Sequence, residues 1–477
     1  MKMYKKGLLV IIGLIAATTA ALAVIGPRPL VVGDTPGAQT NSVKAGDGVV
    51  SIQADMAQEK ILKGSDGEVA VAVTLTAAQL PVVEGVPKQP MDLIVVLDRS
   101  GSMQGMKIAA ARQAVHQLIN RLTPDDRLAL VTYSNGVQLV SPLVPVNING
   151  QRKLHAAVNN IYADGGTNLG GGLQQGIQLI VQSPEAGRQR KIILISDGLA
   201  NQGVTDPNAL GQMAAVATDH QFAVSTVGVG LDFNELLMTT IADHGTGSYY
   251  FLEDPLVFAQ VFEKEFQDAR QVAANGLELR VPLKEGVRLV DAGGYPIKIE
   301  DGIAIINPGS LVSGQQRKLF LTFQVSTTVE RSISLGELQV RYLRDGNPHF
   351  LTSSRDLQVA CVKDEKEVVA SVDKDTWSEQ VLVDEYNQLK EEVADAIRKG
   401  DSAEAQSRIE AYEKRNISKN EMVGSATVAE HLESEVQELR QSVADTFVGA
   451  PSVVMEKQKK QAKALQYEGY RGRRAKK

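Results

Sequence analysis

Two kinds of hydrophobic pattern divide this chain of 477 residues. Between residues 91 and 274, short runs of consecutive apolar residues alternate with segments whose apolar residues recur every three or four positions. Residues 93–97 and 192–195 are runs of the first kind, and residues 107–122 show the helical spacing. Short, bounded runs rich in β-branched residues are typical of buried parallel strands. Their alternation with helices predicts an α/β domain with a doubly wound, mostly parallel, Rossmann-like sheet.

The same patterns predict the other elements of this domain. Pro142 and Pro145 place the strand at 137–144 on an edge of the sheet, because proline cannot donate a ladder hydrogen bond. Further strands are predicted at 128–133 and 222–229, and further helices at 152–162, 173–181, 208–220, 234–244 and 258–274.

The segments on both sides of this domain show strand patterns separated by turns. Before it, strands are predicted at 49–55, 59–63 and 68–76; after it, at 277–282, 287–290, 297–300, 303–307, 318–326, 335–342 and 355–362. Steps such as Asp301-Gly302 and Asp345-Gly346 are typical of hairpin turns. The leading segment, 49–90, is too short for a stable core of its own. We therefore expect one β-sandwich, built from 49–90 and 275–373, with the α/β domain inserted in it; two independent β units are the alternative.

The carboxy-terminal region has helical periodicity. Apolar stripes predict one helix from Leu382 to Gly400 and another from Val428 to Gly449, with a shorter helix at 403–414 between them. Residues 374–450 are therefore predicted to form a helical bundle. From 457 to 477 the chain has nine Lys or Arg residues and one acid, Glu468. We interpret 451–477 as a solvated, partly disordered basic tail, and contact with an anionic membrane is the alternative.

The amino terminus resembles an export signal. Lys2, Lys5 and Lys6 precede the apolar residues 7–26, and Ala21-Leu22-Ala23 matches a cleavage pattern, although an apolar stretch of this length can also remain as a membrane anchor. Residues 27–48 have the composition of a linker. The single cysteine, Cys361, excludes an intramolecular disulfide and is expected to be a buried apolar residue. We expect an exported protein of the bacterial periplasm or cell surface.

Several function classes receive no support from the sequence. A net charge of −6 argues against a nucleic-acid-binding protein. The six histidines form no H-E-x-x-H motif, no Gly-Lys pair exists for a Walker A loop, and no G-x-S-x-G motif is present. The prediction is a protein that is not an enzyme.

A set of oxygen donors gives the clearest functional signal. Asp98, Ser100 and Ser102 form D-x-S-x-S, Thr167 lies in Gly-Gly-Thr-Asn, and Asp197 lies in Ile-Ser-Asp-Gly. Both aspartates follow predicted strands, at the edge where open α/β sheets bind ligands. Hydroxyl and carboxylate oxygens suit a hard cation, which indicates Mg²⁺, with Mn²⁺ or Ca²⁺ as alternatives.

These motifs resemble the metal-ion-dependent adhesion site of a von Willebrand factor type A domain, and the resemblance covers about 91–274. It implies that Ser100 and Ser102 coordinate the metal directly. It also implies that Thr167 binds directly or through water, and that Asp98 and Asp197 bind directly or hold the inner waters. A carboxylate from an Asp or Glu of a partner protein would complete the coordination.

The resemblance extends to a bacterial envelope type, similar to the domains of calcium-activated chloride channel-like proteins and inter-alpha-trypsin inhibitor heavy chains. Arg99 and Asn168, next to the motif residues, are further candidates for ligand contact. The sequence thus predicts a metal-dependent protein-binding module of the cell envelope. An accessory subunit of an envelope membrane complex is the alternative, and a metal-dependent hydrolase is a weaker one.

Overall fold

The computed structural model describes residues 42–80, 89–185 and 187–474. The predicted signal or anchor, 1–26, and the predicted linker up to residue 41 lie outside these residues. Within them, no helix is both long and apolar enough to cross a membrane.

Strands begin earlier than the sequence predicts. The leading strands are β1 (Val43–Gly46), β2 (Val50–Met56), β3 (Lys60–Leu62) and β4 (Glu68–Ala77). β1 pairs antiparallel with β2 and occupies a sheet edge, so the last part of the predicted linker 27–48 is a strand. With Val43 as its one fully buried side chain, β1 is too short to show the alternation that would predict a strand.

The α/β domain has the predicted architecture. It comprises β5 (Met91–Asp98), α1 (Met106–Arg121), β6 (Arg127–Tyr133), β7 (Val137–Pro145), α2 (Ile148–Asn159), α3 (Leu169–Val181), β8 (Gln189–Ser196), α4 (Pro207–Asp219), β9 (Ala223–Val229), α5 (Glu235–His244), β10 (Thr246–Leu252) and α6 (Phe258–Arg270). The strand order is β10-β9-β8-β5-β6-β7, parallel except for β7, which is the predicted proline-containing edge strand. Hydrophobic clusters cover both faces of this sheet, so the doubly wound fold is confirmed.

Two details of this domain differ from the prediction. β10 was not predicted because Gly247, Ser248 and two tyrosines, one of which (Tyr250) is partly exposed, replace an apolar run at this edge. The helix predicted to reach residue 274 ends at Arg270, since the apolar residues from Val272 onward belong to the next strand.

The strands that follow complete the β-sandwich. They are β11 (Val272–Pro282), β12 (Val287–Ala292), β13 (Ile297–Glu300), β14 (Ile303–Ile306), β15 (Leu311–Val312), β16 (Gln316–Val325), β17 (Arg331–Gly336), β18 (Gln339–Arg344), β19 (Asn347–Thr352) and β20 (Leu357–Val362). β16 pairs with β4 from Gln316 opposite Thr76 to Gln324 opposite Glu68. One sheet therefore contains strands from both flanks, in the order β1-β2-β4-β16-β12, and the α/β domain is inserted in the sandwich as predicted. Cys361 is buried in the sandwich core.

The segment predicted as one strand at 335–342 contains parts of two. β17 ends at Gly336, whose φ of 99° is unfavourable for other residues, and β18 begins at Gln339. β18 then pairs with β19, a strand that the sequence did not predict because its exposed polar residues and Pro348 mask the pattern.

Helices form the carboxy-terminal region, as predicted. They are α7 (Glu365–Ala370), α8 (Lys374–Glu379), α9 (Tyr386–Arg398), α10 (Ser402–Val423), α11 (Ala426–Glu433), α12 (Glu435–Thr446) and α13 (Pro451–Arg473), with a π-helical turn at Gln380–Glu385. α10 is longer than the predicted 403–414, and the helix predicted from Val428 to Gly449 is interrupted at Ser434.

The prediction of a solvated basic tail was wrong for residues 451–474. α13 packs along α9, and its residues Ala462, Leu465 and Tyr470 are buried. Its basic residues pair with acids of the body: Lys459 with Asp232, Lys460 with Glu253, Lys463 with Glu235, Arg473 with Asp384 and Asp291, and Arg474 with Asp243. Through these pairs the positive charge of α13 docks the helix on the body, whereas contact of the segment with an anionic membrane stays a prediction.

Candidate metal centre

The motif residues meet at the carboxyl edge of the parallel sheet. Asp98 is the last residue of β5, and Asp197 directly follows the neighbouring strand β8. The turn after β5 presents Ser100 and Ser102, and the loop before α3 brings in Thr167. A side chain added at Gly198 would meet Ser102 Oγ at 3.3 Å and Thr167 Oγ1 at 3.6 Å, so both hydroxyls lie close to that glycine.

Hydrogen bonds connect the donors into one network. Asp98 Oδ1 accepts the backbone N–H of Ser100 at 2.8 Å, and its Oδ2 accepts the Ser196 hydroxyl at 2.8 Å. The hydroxyl oxygens of Ser100 and Ser102 are 3.0 Å apart, and Ser102 donates to Asp197 Oδ1 at 2.7 Å. Ser196 therefore holds Asp98 in place, a role that the sequence analysis did not assign to it.

The separation of the two serine hydroxyls fits an octahedral cation. Ligands about 2.1 Å from Mg²⁺ and at right angles to each other are about 3.0 Å apart, and Ser100 Oγ and Ser102 Oγ have this separation. Among the described residues, no three His, Cys, Asp or Glu side chains converge as a metal site. A cation at this edge would therefore be held largely by hydroxyl oxygens, with the carboxylates of Asp98 and Asp197 supplying the negative charge.

The two carboxylates are fully buried, and burial changes the pKa of one of them, Asp98. Asp98 and Asp197 each have 0% relative exposure. Burial raises the pKa of Asp98 to about 6, although the hydrogen bonds from Ser100 and Ser196 lower it. The neighbouring negative charge of Asp197 also raises this pKa. A nearby positive charge would stabilise both anions. Lys107, from the first turn of α1, supplies one such charge: its Nζ donates to Asp197 Oδ2 at 2.5 Å.

The loops that carry the hydroxyls are fixed by backbone contacts. The Thr167 N–H donates to Asn201 Oδ1 at 2.9 Å, and the Asn201 N–H donates back to the Thr167 carbonyl at 3.1 Å. The Gly101 N–H donates to the Gly165 carbonyl at 2.9 Å, which connects the serine turn to the threonine loop. Such preorganisation lowers the entropy cost of binding a cation. Asn201 has no sequence signal beyond its position four residues after Asp197.

The two other candidates, Arg99 and Asn168, have structural contacts. Asn168 caps α3, since its Oδ1 accepts the Gly171 N–H at 3.0 Å. The Arg99 backbone bonds to Tyr133 and Asp164, and its half-buried side chain has one nitrogen, Nε, without a hydrogen-bond partner among the described residues. Contact of either side chain with a ligand stays a prediction.

A cleft of about 580 Å³ opens beside the centre. Ser102, Thr167 and Asp197 line one side of it, and residues of α13 line the other. This contribution of α13 was missed from the sequence, because nothing in the basic segment indicates where it docks.

Comparison with known proteins gives matches centred on the α/β domain. The family model of the von Willebrand factor type A domain matches residues 92–264. An uncharacterised protein from Synechocystis is 27% identical over 263 residues, which is 53% of this chain and 61% of that protein. Human inter-alpha-trypsin inhibitor heavy chain H4 is 27% identical over 270 residues, 52% of this chain and 28% of that protein. The chain thus spans less than two thirds of these relatives.

Solved structures share the fold over most of the chain. A von Willebrand factor type A protein from Catenulispora acidiphila has a TM-score of 0.64 and 18% identity, covering 90% of this chain and 97% of that one. The ArnB paralog VWA2 from Sulfolobus acidocaldarius has a TM-score of 0.53 and 18% identity, covering 88% and 99%. The family-model match identifies residues 92–264 as a von Willebrand factor type A domain, and these solved structures show the same fold over most of the chain.

Proposed function

We propose that this protein is a metal-dependent protein-binding module, which binds an acidic side chain of a partner through Mg²⁺ held at the carboxyl edge of the sheet. Von Willebrand factor type A domains commonly serve in protein interaction. The observation that carries the proposal is the 3.0 Å separation of Ser100 Oγ and Ser102 Oγ beside the buried carboxylates of Asp98 and Asp197. Thr167 Oγ1, which also lies close to Gly198, would add a third hydroxyl.

Electrostatics explain why such a centre would select an anion. Neutral hydroxyl ligands leave a divalent cation only partly neutralised, so a carboxylate gains more by joining it than it gains from water. Ser102 is exposed whereas both aspartates are buried, which leaves the solvent side of the cation open to a partner. Ions of similar chemistry, Mn²⁺ and Ca²⁺, are alternatives to Mg²⁺.

A binding role is proposed in preference to catalysis. The carboxylates of Asp98 and Asp197 are engaged by Ser196, Ser102 and Lys107, and this makes them poor proton shuttles. The export pattern of residues 1–26 supports a location in the bacterial periplasm or at the cell surface, with the alternative that those residues anchor the protein in the membrane.

The test is calorimetric titration of Mg²⁺, Mn²⁺ and Ca²⁺ into the purified protein and its Asp98→Ala variant. We expect saturable binding that Asp98→Ala abolishes without unfolding the protein. Asp125→Ala is the matched control, because Asp125 is exposed before β6, at the opposite edge of the sheet. Equal metal binding by Asp98→Ala and the wild type would refute the proposed centre.

A further inference from the structure

The cleft beside the metal centre has α13 as its second wall. From α13 it receives Met455, Gln458, Lys459, Ala462 and Lys463. These positions follow one face of the helix, at spacings of three and four residues. This face of α13 therefore lines the same cleft as Ser102, Thr167 and Asp197.

A buried ion pair fixes the position of this wall. The Lys463 side chain is only 4% exposed, and its Nζ lies 2.9 Å from Glu235 Oε1 and donates to the Phe233 carbonyl at 2.8 Å. The same ammonium lies 3.7 Å from the centre of the Phe233 ring. Phe233 in turn packs on Gly228 of β9, where an added Cβ would lie 2.3 Å from the ring. A buried ammonium is tolerated only when it is paired in this way, so α13 is tied firmly to the edge of the sheet.

The walls of the cleft are balanced in charge until a cation is added. Arg398, Lys459 and Lys463 line it, and so do three acids, Asp197, Asp232 and Glu235. A divalent cation at the metal centre would make the cleft positive, which favours an anionic occupant. Near the opening, Leu199 and Met455 are each 60% exposed. An apolar side chain next to the anionic group would cover them.

We infer that α13 is one wall of a partner-binding cleft, and that the occupant is a short acidic segment of a partner protein. Its carboxylate reaches the metal centre, and an adjacent apolar side chain packs against Leu199 and Met455. A cleft of about 580 Å³ lies within the range of sites that enclose small ligands, and it holds a few residues of such a segment. The inference rests on the proposed function and adds to it the chemistry of the partner and a second wall.

The probe is the fluorescently labelled peptide acetyl-Ala-Glu-Leu-Ala-amide, compared with its Gln counterpart, and binding is measured by anisotropy in Mg²⁺ and in EDTA. The variants are Lys459→Glu and Met455→Glu. Lys460→Glu is the matched control, because Lys459 and Lys460 both form exposed ion pairs of 2.7 Å, but only Lys459 lines the cleft. Lys459→Gln repeats the test without placing a like charge against Asp232, and thermal melting checks that each variant remains folded.

We expect the wild type to bind the Glu peptide only with Mg²⁺ and to bind the Gln peptide more weakly. Lys459→Glu and Met455→Glu should each weaken binding roughly tenfold, because each adds a negative charge to the cleft. Lys460→Glu should have no effect. Binding that requires Mg²⁺ and Asp98 but is unchanged in both cleft variants would overturn the role of α13 and leave the proposed function standing. Saturable Mg²⁺ binding with no peptide binding would overturn the inferred occupant, and absence of Mg²⁺ binding would overturn both.

Discussion

Replacing Lys107 with methionine should tighten Mg²⁺ binding. The Lys107 ammonium donates to Asp197 Oδ2, while Asp197 Oδ1 accepts from Ser102, one of the hydroxyls assigned to the metal. A divalent cation and the ammonium therefore share one buried carboxylate. Methionine keeps most of the length and apolar character of the lysine stem and removes the charge, so the substitution isolates the electrostatic contribution.

The magnitude follows from what Lys107 does when the cation binds. If the ammonium leaves, a hydrogen bond to a charged group worth about 1.5–3 kcal/mol is lost. If it stays, a positive charge within several ångströms of the cation costs at least as much at the effective dielectric of a protein surface. Either way, Lys107→Met should improve the Mg²⁺ dissociation constant by about ten- to hundredfold. Without metal, the same variant should be less stable than the wild type, because Asp197 loses its cationic partner.

Calorimetry with Mg²⁺ and thermal melting in EDTA measure these two effects. Lys153→Met is the matched control, since Lys153 is an exposed lysine on α2 with no part in the cleft. We expect a lower melting temperature in EDTA and a larger stabilisation by Mg²⁺ for Lys107→Met than for either comparison protein. Weaker Mg²⁺ binding by Lys107→Met would refute the reasoning and assign Lys107 to orienting Asp197 for the metal.

Three further predictions concern the frame around the centre. Tyr133→Phe should lower the free energy of unfolding by about 1–3 kcal/mol in urea titrations, because the buried Tyr133 hydroxyl donates to the Ile195 carbonyl at 2.6 Å; an unchanged stability would contradict this. Burial and the neighbouring His116, 2.7 Å away between Nδ1 atoms, lower the pKa of His155, so the unfolded chain binds more protons and stability should decrease as the pH falls below about 6.5. The decrease in melting temperature between pH 7.5 and 5.5 should be smaller in His155→Gln, and equal slopes would count against the interaction. Tyr470→Ala should lower the free energy of unfolding by about 3–5 kcal/mol, because this residue of α13 is buried against the α/β domain. An unfolding curve that the substitution leaves unchanged would indicate that Tyr470 belongs to a solvated tail.

Hydrophobic pattern was sufficient to predict the α/β domain because its signals are local. Each central strand is a run that is buried on both faces, as in β5, where every residue is buried. The aspartates that end β5 and follow β8 needed only one further rule, that parallel strands present their carboxyl ends at one edge. Placement of Asp98 and Asp197 at one edge of the sheet thus followed from the sequence, whereas the pairing of β5 with β8 and the supporting contacts of Ser196, Asn201 and Lys107 did not.

The elements that the sequence missed have weak local patterns. β1 has one fully buried residue, β10 is a partly exposed edge strand, and β19 shows mostly exposed side chains. Their pairing with neighbouring strands, rather than their own periodicity, makes them strands. The break between α11 and α12 at Ser434 falls within a continuous apolar stripe, so the stripe itself predicted a single helix.

α13 shows why long-range charge pairing escapes sequence analysis. Lys459 and Lys463 meet Asp232 and Glu235 at the amino end of α5, while Arg474 meets Asp243 near its carboxyl end, so α13 runs in the same general direction as α5. The acids lie more than 200 positions away from the bases they neutralise, as the separations of 227 and 231 residues for Lys459 and Arg474 show. Within its own segment, the charge of α13 is unbalanced and indicates a solvated tail.

The direction of α13 also has a mechanical consequence. Its 23 residues correspond to a rod of about 35 Å. At one end of this rod, Arg473 pairs with Asp291 of the sandwich and Asp384 of the bundle. Towards the other end, Lys459 and Met455 line the cleft at the metal centre. If α13 moves as a unit, displacement of its cleft end would strain the ion pairs of Arg473, so we expect these contacts with the sandwich and the bundle to oppose opening of the cleft.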